Sequence, residues 1–446
     1  MIPRVMTAGR KYFGGLSPDA RAGLFGLGWS YLTHALLIVL KIGSSLILTR
    51  LLLPEAYGVF GPALAAMFFL EFLSDIGLRP AIVRSSNGDR PEFLGTAWTI
   101  VLGRAVVLSL VALGLSRLLP AWYDLPDLAA VLAVLAVRPM LLAVQNPTLY
   151  VLFRRLNYRT SFFLDVAQSL AAVPFTILMS WWLQNVWGLV FGLLFGDVVR
   201  IVLTHLLCPR PPRPCWHRPA VTELSHFGVS IFFNTLVFGV WVYFDRLIGP
   251  KLLRADEMGL YITAWGLAEA LDNLIGRGCD VFYAMLSRQT DGDARRAFFE
   301  TTARRVAFYL GPALAAAAIA APWLFRFLYA PPFHGAAVLL GLLTARMILR
   351  ATSQVQFMEL MVTGEIILAT RSYVASLVVL AATFVPLVRE YGVRGVAISA
   401  VLAMTTFTLV QTAMMVRRGL ARPLPVVLGL AWTAAAIAGV LLAGGE

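Results

Sequence analysis

Five cations stand where an apolar sequence should not carry them. Lys41, Arg104, Arg138, Arg346 and Arg350 fall well inside runs of apolar residues, as do the carboxylates Glu71, Asp75, Asp165, Asp197, Glu269, Asp272, Asp280 and Glu359. At the centre of a membrane-spanning helix each such charge costs about 2.5–3.5 kcal/mol, so these side chains must face a protein interior or a water-filled cavity. Guanidinium forks grip phosphate oxygens through paired, charge-assisted hydrogen bonds, which gives the cations the chemistry of a cavity that takes an anion. Lys41, Arg138 and Arg346 are the foremost cavity candidates. Arg104 and Arg350 follow, each with a second reading as the structural partner of a carboxylate. Glu71, Asp75, Glu269 and Asp272 are read as coupling or structural carboxylates. Asp197 and Arg200, three apart on one helical face, are read as a local ion pair or a snorkelling pair, and Asp245 and Arg246 likewise at the end of a run.

Other chemistry lacks its residues. The HExxH, P-loop, nucleophile-elbow and EF-hand patterns are all missing, so neither enzyme activity nor a cofactor nor a metal is expected. The chain has an odd number of cysteines, Cys208, Cys215 and Cys279. Cys208 and Cys215, with His217 nearby, are read as free thiols in a reducing compartment. Trp98, Trp122, Trp181, Trp182, Trp187 and Trp241 fall mostly near the ends of apolar runs, where indoles anchor helices at a membrane interface.

The elements that must position these charges are transmembrane helices. Of 446 residues 59% are hydrophobic and 14% charged, against roughly 45–50% and 25% in soluble domains, so the apolar excess has no place in a water-soluble core. Runs of bilayer length predict thirteen spans near 24–49, 58–83, 93–118, 125–152, 161–183, 186–207, 226–249, 259–286, 304–328, 335–361, 366–388, 393–416 and 424–443. The net charge of +13 is spread over alternate loops, which is the positive-inside pattern and excludes a nucleic-acid surface. Clusters such as Arg210, Arg213 and Arg218 predict a cytoplasmic amino terminus.

The segment LCPRPPRPCWHRPAVTELS divides the chain near its middle. Across it Arg50 pairs with Arg246, Gly58 with Gly259, Phe60 with Tyr261 and Glu71 with Asp272. Arg138 further on answers Arg346, and Gly188 answers Gly395. Matches in the same order predict a duplicated, all-α integral membrane fold: two six-helix lobes around a central cavity, plus one extra C-terminal span. The divisions expected are 1–207, an inter-lobe loop at 208–225, 226–416 and 417–446.

The run ILTRLLLPEAYGVFG followed by FLSDIGLRPAIVR, and its counterpart YFDRLIGPKLLRADEMGLYITAWGLAE, resemble the oligosaccharide flippase or polysaccharide transporter family. That family belongs to the superfamily of multidrug, oligosaccharidyl-lipid and polysaccharide exporters. The resemblance covers roughly 24–416. It implies a bacterial inner-membrane protein that moves an undecaprenyl-pyrophosphate-linked oligosaccharide outward by alternating access, driven by a proton or sodium gradient, in the synthesis of a cell-surface polysaccharide such as lipopolysaccharide or exopolysaccharide. Membrane lipids, a polysaccharide polymerase and glycosyltransferases are the partners it suggests. A drug or metabolite antiporter of the same superfamily and a membrane enzyme acting on a lipid-linked sugar are the alternatives.

Overall fold

Apolar runs of twenty or more residues hide their peptide groups from lipid by becoming helices, and this chain does so throughout. The computed structural model describes residues 18–74, 82, 85, 87–154, 158–287, 289 and 291–444. Asp75 lies outside them, as does the side chain of Asp280. No strand occurs among the described residues. The N-terminal half comprises α1 (Pro18–Leu51), α2 (Pro54–Leu73), α3 (Pro91–Tyr123), α4 (Asp127–Leu135), α5 (Arg138–Val144), α6 (Leu149–Arg154), α7 (Tyr158–Leu183) and α8 (Trp187–Leu207). The C-terminal half begins with α9 (Arg218–Leu252), α10 (Ala255–Leu286) and α11 (Gly292–Arg305). A π-turn at Val306–Leu310 joins α11 to α12 (Gly311–Leu328), and α13 (Ala336–Thr363), α14 (Ile366–Tyr391), α15 (Val393–Arg417) and α16 (Leu424–Gly444) complete the chain.

Eleven spans among the described residues are long and apolar enough to cross a membrane, and the protein is an integral, multi-pass membrane protein. α9 and α10 are long enough at 35 and 32 residues, but they carry the charges that line the centre of the molecule. The helices follow the thirteen expected spans with three corrections. The span expected at 58–83 ends ten residues early, at Leu73, where Ser74 caps α2. The span expected at 125–152 is broken at Ala136 and Val137, immediately before Arg138 and Pro139. Pro139 has no N–H for the carbonyl of Leu135, so α4 cannot run on into α5. The loop expected at 208–225 ends earlier, because α9 starts at Arg218 with Pro219 in its first turn, where a missing N–H costs nothing.

The duplication is visible in contacts. A Cβ on Gly188 would strike the backbone of Ser180, and one on Gly395 the backbone of Leu387. The α7/α8 and α14/α15 hairpins therefore close on themselves at equivalent points. Between the halves, α2 packs along α10. Gly58 faces the carbonyl of Ala255, and Gly259 faces that of Pro54, so the first turns of these two helices touch backbone to backbone. α16 lies outside the duplication and packs on α12 and α13 of the C-terminal half, where Ala436 and Val440 join its core.

Candidate functional site

Past the contact of Gly61 with Ile262, the C-terminal halves of α2 and α10 become cavity walls. Phe68, Glu71 and Phe72 of α2 and Trp265, Glu269 and Asp272 of α10 line three adjoining chambers. One, of about 530 Å³, lies on the N-terminal lobe; one of about 460 Å³ lies between α1, α2 and α10; one of about 210 Å³ lies on the C-terminal lobe. Tyr243 of α9 lines all three and marks where they meet.

The duplicated carboxylates have unlike partners. In the N-terminal lobe Arg138 donates through Nη1 to Glu71 at 2.9 Å and through Nε to Asp197 at 2.9 Å. Its guanidinium also lies 5.0 Å from the ring centre of Phe68. Arg138 is 7% exposed and lines none of these chambers, so two carboxylates and an aromatic face hold it in the lobe interior. In the C-terminal lobe Asp272, the counterpart of Glu71, accepts from Arg350 at 3.2 Å. Arg350 stands one helical turn beyond Arg346, the counterpart of Arg138. Arg346 is consequently left at the wall of the 210 Å³ chamber, with its Nε buried and without a hydrogen-bond partner. Arg138 and Arg346 do not form a facing pair.

Arg104 lines the N-terminal chamber and donates to Ser74 Oγ and to the carbonyl of Glu71, both at 2.9 Å. Lys41 and Glu269 meet at 2.9 Å, with side chains 44% and 38% exposed, and join α1 to α10 across the middle chamber. Asp197 and Arg200 do not pair locally. Asp197 holds Arg138, while Arg200 donates to Asp165 at 2.6 Å and to Gln168 at 2.9 Å.

Asp245 and Arg246 do pair, but deep in the protein at 7% and 4% exposure, because α9 runs on to Leu252. Asp245 accepts from the backbone N–H of Arg246 at 2.9 Å and from the hydroxyl of Tyr261. The Arg246 guanidinium lies 3.6 Å over Trp265 and 4.8 Å from Tyr243, a cation held between two aromatic faces. Sequence reasoning missed the cavity role of Arg246, Tyr243 and Trp265. The one available signal was the repeat, yet it aligned Arg246 with Arg50, which is exposed. Trp241 likewise belongs to the cavity wall and donates to Ser376 at 2.8 Å instead of anchoring an interface. Among the described residues no cluster of His, Cys, Asp or Glu could hold a metal ion, and Cys208, Cys215 and Cys279 are free thiols.

Known proteins resemble this chain in sequence and in fold. The family described as "Polysaccharide biosynthesis protein" matches residues 47–338. The succinoglycan biosynthesis transport protein ExoT of Rhizobium meliloti is 25% identical over 242 residues, covering 53% of this chain and 48% of that protein. The lipopolysaccharide biosynthesis protein WzxC of Escherichia coli is 21% identical over 254 residues, covering 54% and 50%. The chain thus spans about half the length of the curated relatives it matches. Among solved structures, the lipid II flippase MurJ in an inward closed conformation superposes with a TM-score of 0.70 at 11% identity, covering 94% of this chain and 98% of that one. An inward-facing multidrug resistance transporter of the MATE family superposes with a TM-score of 0.64 at 16% identity, covering 85% and 94%. At such identities the likeness establishes the shared fold alone.

Proposed function

From a chain that belongs to the polysaccharide biosynthesis protein family, we propose a transporter, not an enzyme, that carries an undecaprenyl-pyrophosphate-linked oligosaccharide across the bacterial inner membrane. The relatives named for succinoglycan transport and lipopolysaccharide biosynthesis support a lipid-linked glycan as cargo. Transport proceeds by alternating access: the lobes close at the first turns of α2 and α10, while the cavity between their far halves takes the cargo. A proton or sodium gradient supplies the energy.

Arg346 carries this reading. A buried guanidinium nitrogen without a partner forfeits about 1–3 kcal/mol or more, and an anion entering the chamber would restore that bond. Arg246 and Arg350 line the same chamber, so the site suits the two phosphates of the carrier better than a cationic drug. The test uses the purified protein in vesicles and a fluorescent prenyl-diphosphate saccharide, with flipping normalised to inserted protein. Wild-type protein is expected to flip the probe above protein-free vesicles, with Arg346→Lys intermediate and Arg346→Ala near background. Undiminished flipping by Arg346→Ala would remove the anion site.

A further inference from the structure

The two lobes offer different chemistry to one cargo, although their folds are duplicates. Around the N-terminal chamber three cations, Arg104, Arg138 and Arg200, stand with three carboxylates, Glu71, Asp165 and Asp197. Arg138 and Arg200 form ion pairs inside the lobe at 2.6–2.9 Å, and Arg104 is held by Ser74 and the carbonyl of Glu71. Each cation around this chamber is therefore already held by a protein partner. What its wall presents are oriented donors and acceptors, including Gln145, which accepts from Arg200 at 3.3 Å, together with the rings of Phe68, Phe72 and Tyr150.

The C-terminal chamber differs in both respects. Its wall carries Arg246, Arg346 and Arg350 together with the carboxylates Asp245, Glu269 and Asp272, and Glu269 also accepts from Lys41 of the middle chamber. Here Arg346 keeps a buried Nε without a hydrogen-bond partner, and the chamber has less than half the volume of the other, about 210 against 530 Å³. A compact anion fits the smaller chamber. The larger one, with its cations engaged by protein partners, mixed hydrogen-bonding groups and aromatic faces, suits a group of many hydroxyls and no charge. Phe72 and Tyr243 line both, so one ligand can occupy the two at once.

We infer that the N-terminal chamber is the saccharide subsite, and that the cargo lies across the molecule with its diphosphate on the C-terminal lobe and its first sugars against Gln145, Arg104, Phe68 and Phe72. This rests on the reading of Arg346 given above. The ion pairs of the N-terminal lobe have a second consequence: they hold fixed the side chains that meet the hydroxyls, so glycan selectivity resides in that lobe while affinity for the carrier resides in the other.

The test compares binding of two soluble probes to the purified, full-length protein in detergent: farnesyl diphosphate alone, and farnesyl diphosphate bearing a glucose, galactose or N-acetylglucosamine. Wild-type protein is expected to bind at least one sugar-bearing probe more tightly than the bare diphosphate. Gln145→Leu is expected to weaken the sugar-bearing probe about fivefold, the loss of one or two neutral hydrogen bonds, and to leave the bare diphosphate unchanged. Val101→Trp, which fills the same chamber from α3 without touching a charge, should do the same and serves if Gln145→Leu fails to fold. Arg346→Ala should weaken both probes equally. Equal wild-type affinity for bare and sugar-bearing probes, or a Val101→Trp protein that binds all of them as wild type does, overturns the saccharide subsite. Unchanged binding of both probes by Arg346→Ala overturns instead the anion site on which it rests.

Discussion

Gly58 and Gly259 each lie against the residue that opens the opposite helix: a Cβ on Gly58 would overlap the carbonyl of Ala255, and one on Gly259 the carbonyl of Pro54. The contact is reciprocal, as a two-fold relation between the lobes requires, and it lies at the end where α2 and α10 begin. Backbone cannot yield as a flexible side chain does, so added bulk must push the lobes apart. Overpacking of this kind costs about 1–3 kcal/mol. Gly58→Leu and Gly259→Leu should each lower transport about tenfold, while the protein still inserts. A spin-label distance between positions 55 and 256 should lengthen in both; an unchanged distance with normal transport would show that this contact is no gate.

Arg138 should behave as a structural residue. Its removal strands Asp197 in the lobe interior and leaves Glu71 without its ion-pair partner at the chamber wall, at a cost of about 3–5 kcal/mol. Arg138→Ala is therefore expected to cut the yield of monodisperse protein severely. Neutralising all three together, as Arg138→Met, Glu71→Gln and Asp197→Asn, should restore much of that yield, because no unpaired charge remains buried. Size-exclusion profiles of the single and triple variants decide the matter: normal yield for Arg138→Ala alone would count against the role.

That role could not be read from the sequence, whereas the overall architecture could. Bilayer-length apolar runs and alternate basic loops are local signals, and the repeat preserves its spacing from Gly58 and Gly259 to Glu71 and Asp272, so helices and lobes follow from them. The partners of Arg138 are 59 and 67 residues away, on helices whose rotation no periodicity fixes. Pro139 also moved Arg138 from the expected middle of a span to the start of α5. The depth of Arg246 escaped for a related reason. Its place near the end of an apolar run suggested an interface, but α9 extends six residues beyond it, to Leu252.

The pair formed by Lys41 and Glu269 joins the lobes without adding much to stability. Both side chains are more than a third exposed, and exposed pairs contribute only about 0.2–1 kcal/mol. Lys41→Ala should leave the melting temperature of the purified protein nearly unchanged while altering transport, since α1 and α10 lose their link across the middle chamber. Exchanging the charges, with Lys41→Glu and Glu269→Lys in one protein, should recover more transport than either single reversal. If the double exchange is as defective as the worse single variant, the attraction itself is not what matters.

The side from which the cavity is reached follows from combining topology with the contact at Gly58 and Gly259. If the amino terminus lies in the cytoplasm, as the alternation of basic loops predicts, α1 runs outward and α2 and α10 both begin at the outer face. Their touching first turns then close the outer side, and the chambers bounded by Phe72 and Asp272 face the cytoplasm. Asn273, exposed on α10 at the edge of the C-terminal chamber, reports on this directly. In a protein with Cys208, Cys215 and Cys279 replaced by Ser, an Asn273→Cys variant should react with a membrane-impermeant maleimide in inverted vesicles and remain unlabelled in intact cells. A cysteine at Asn185, in the tight connection between α7 and α8, should show the opposite pattern, because α2, α3, the α4–α5 span and α7 make four crossings after α1 and return the chain to the outside. Labelling of position 273 from outside, with position 185 reached only from within, would reverse the orientation. Labelling of both from the same side would break the assignment of crossings between them.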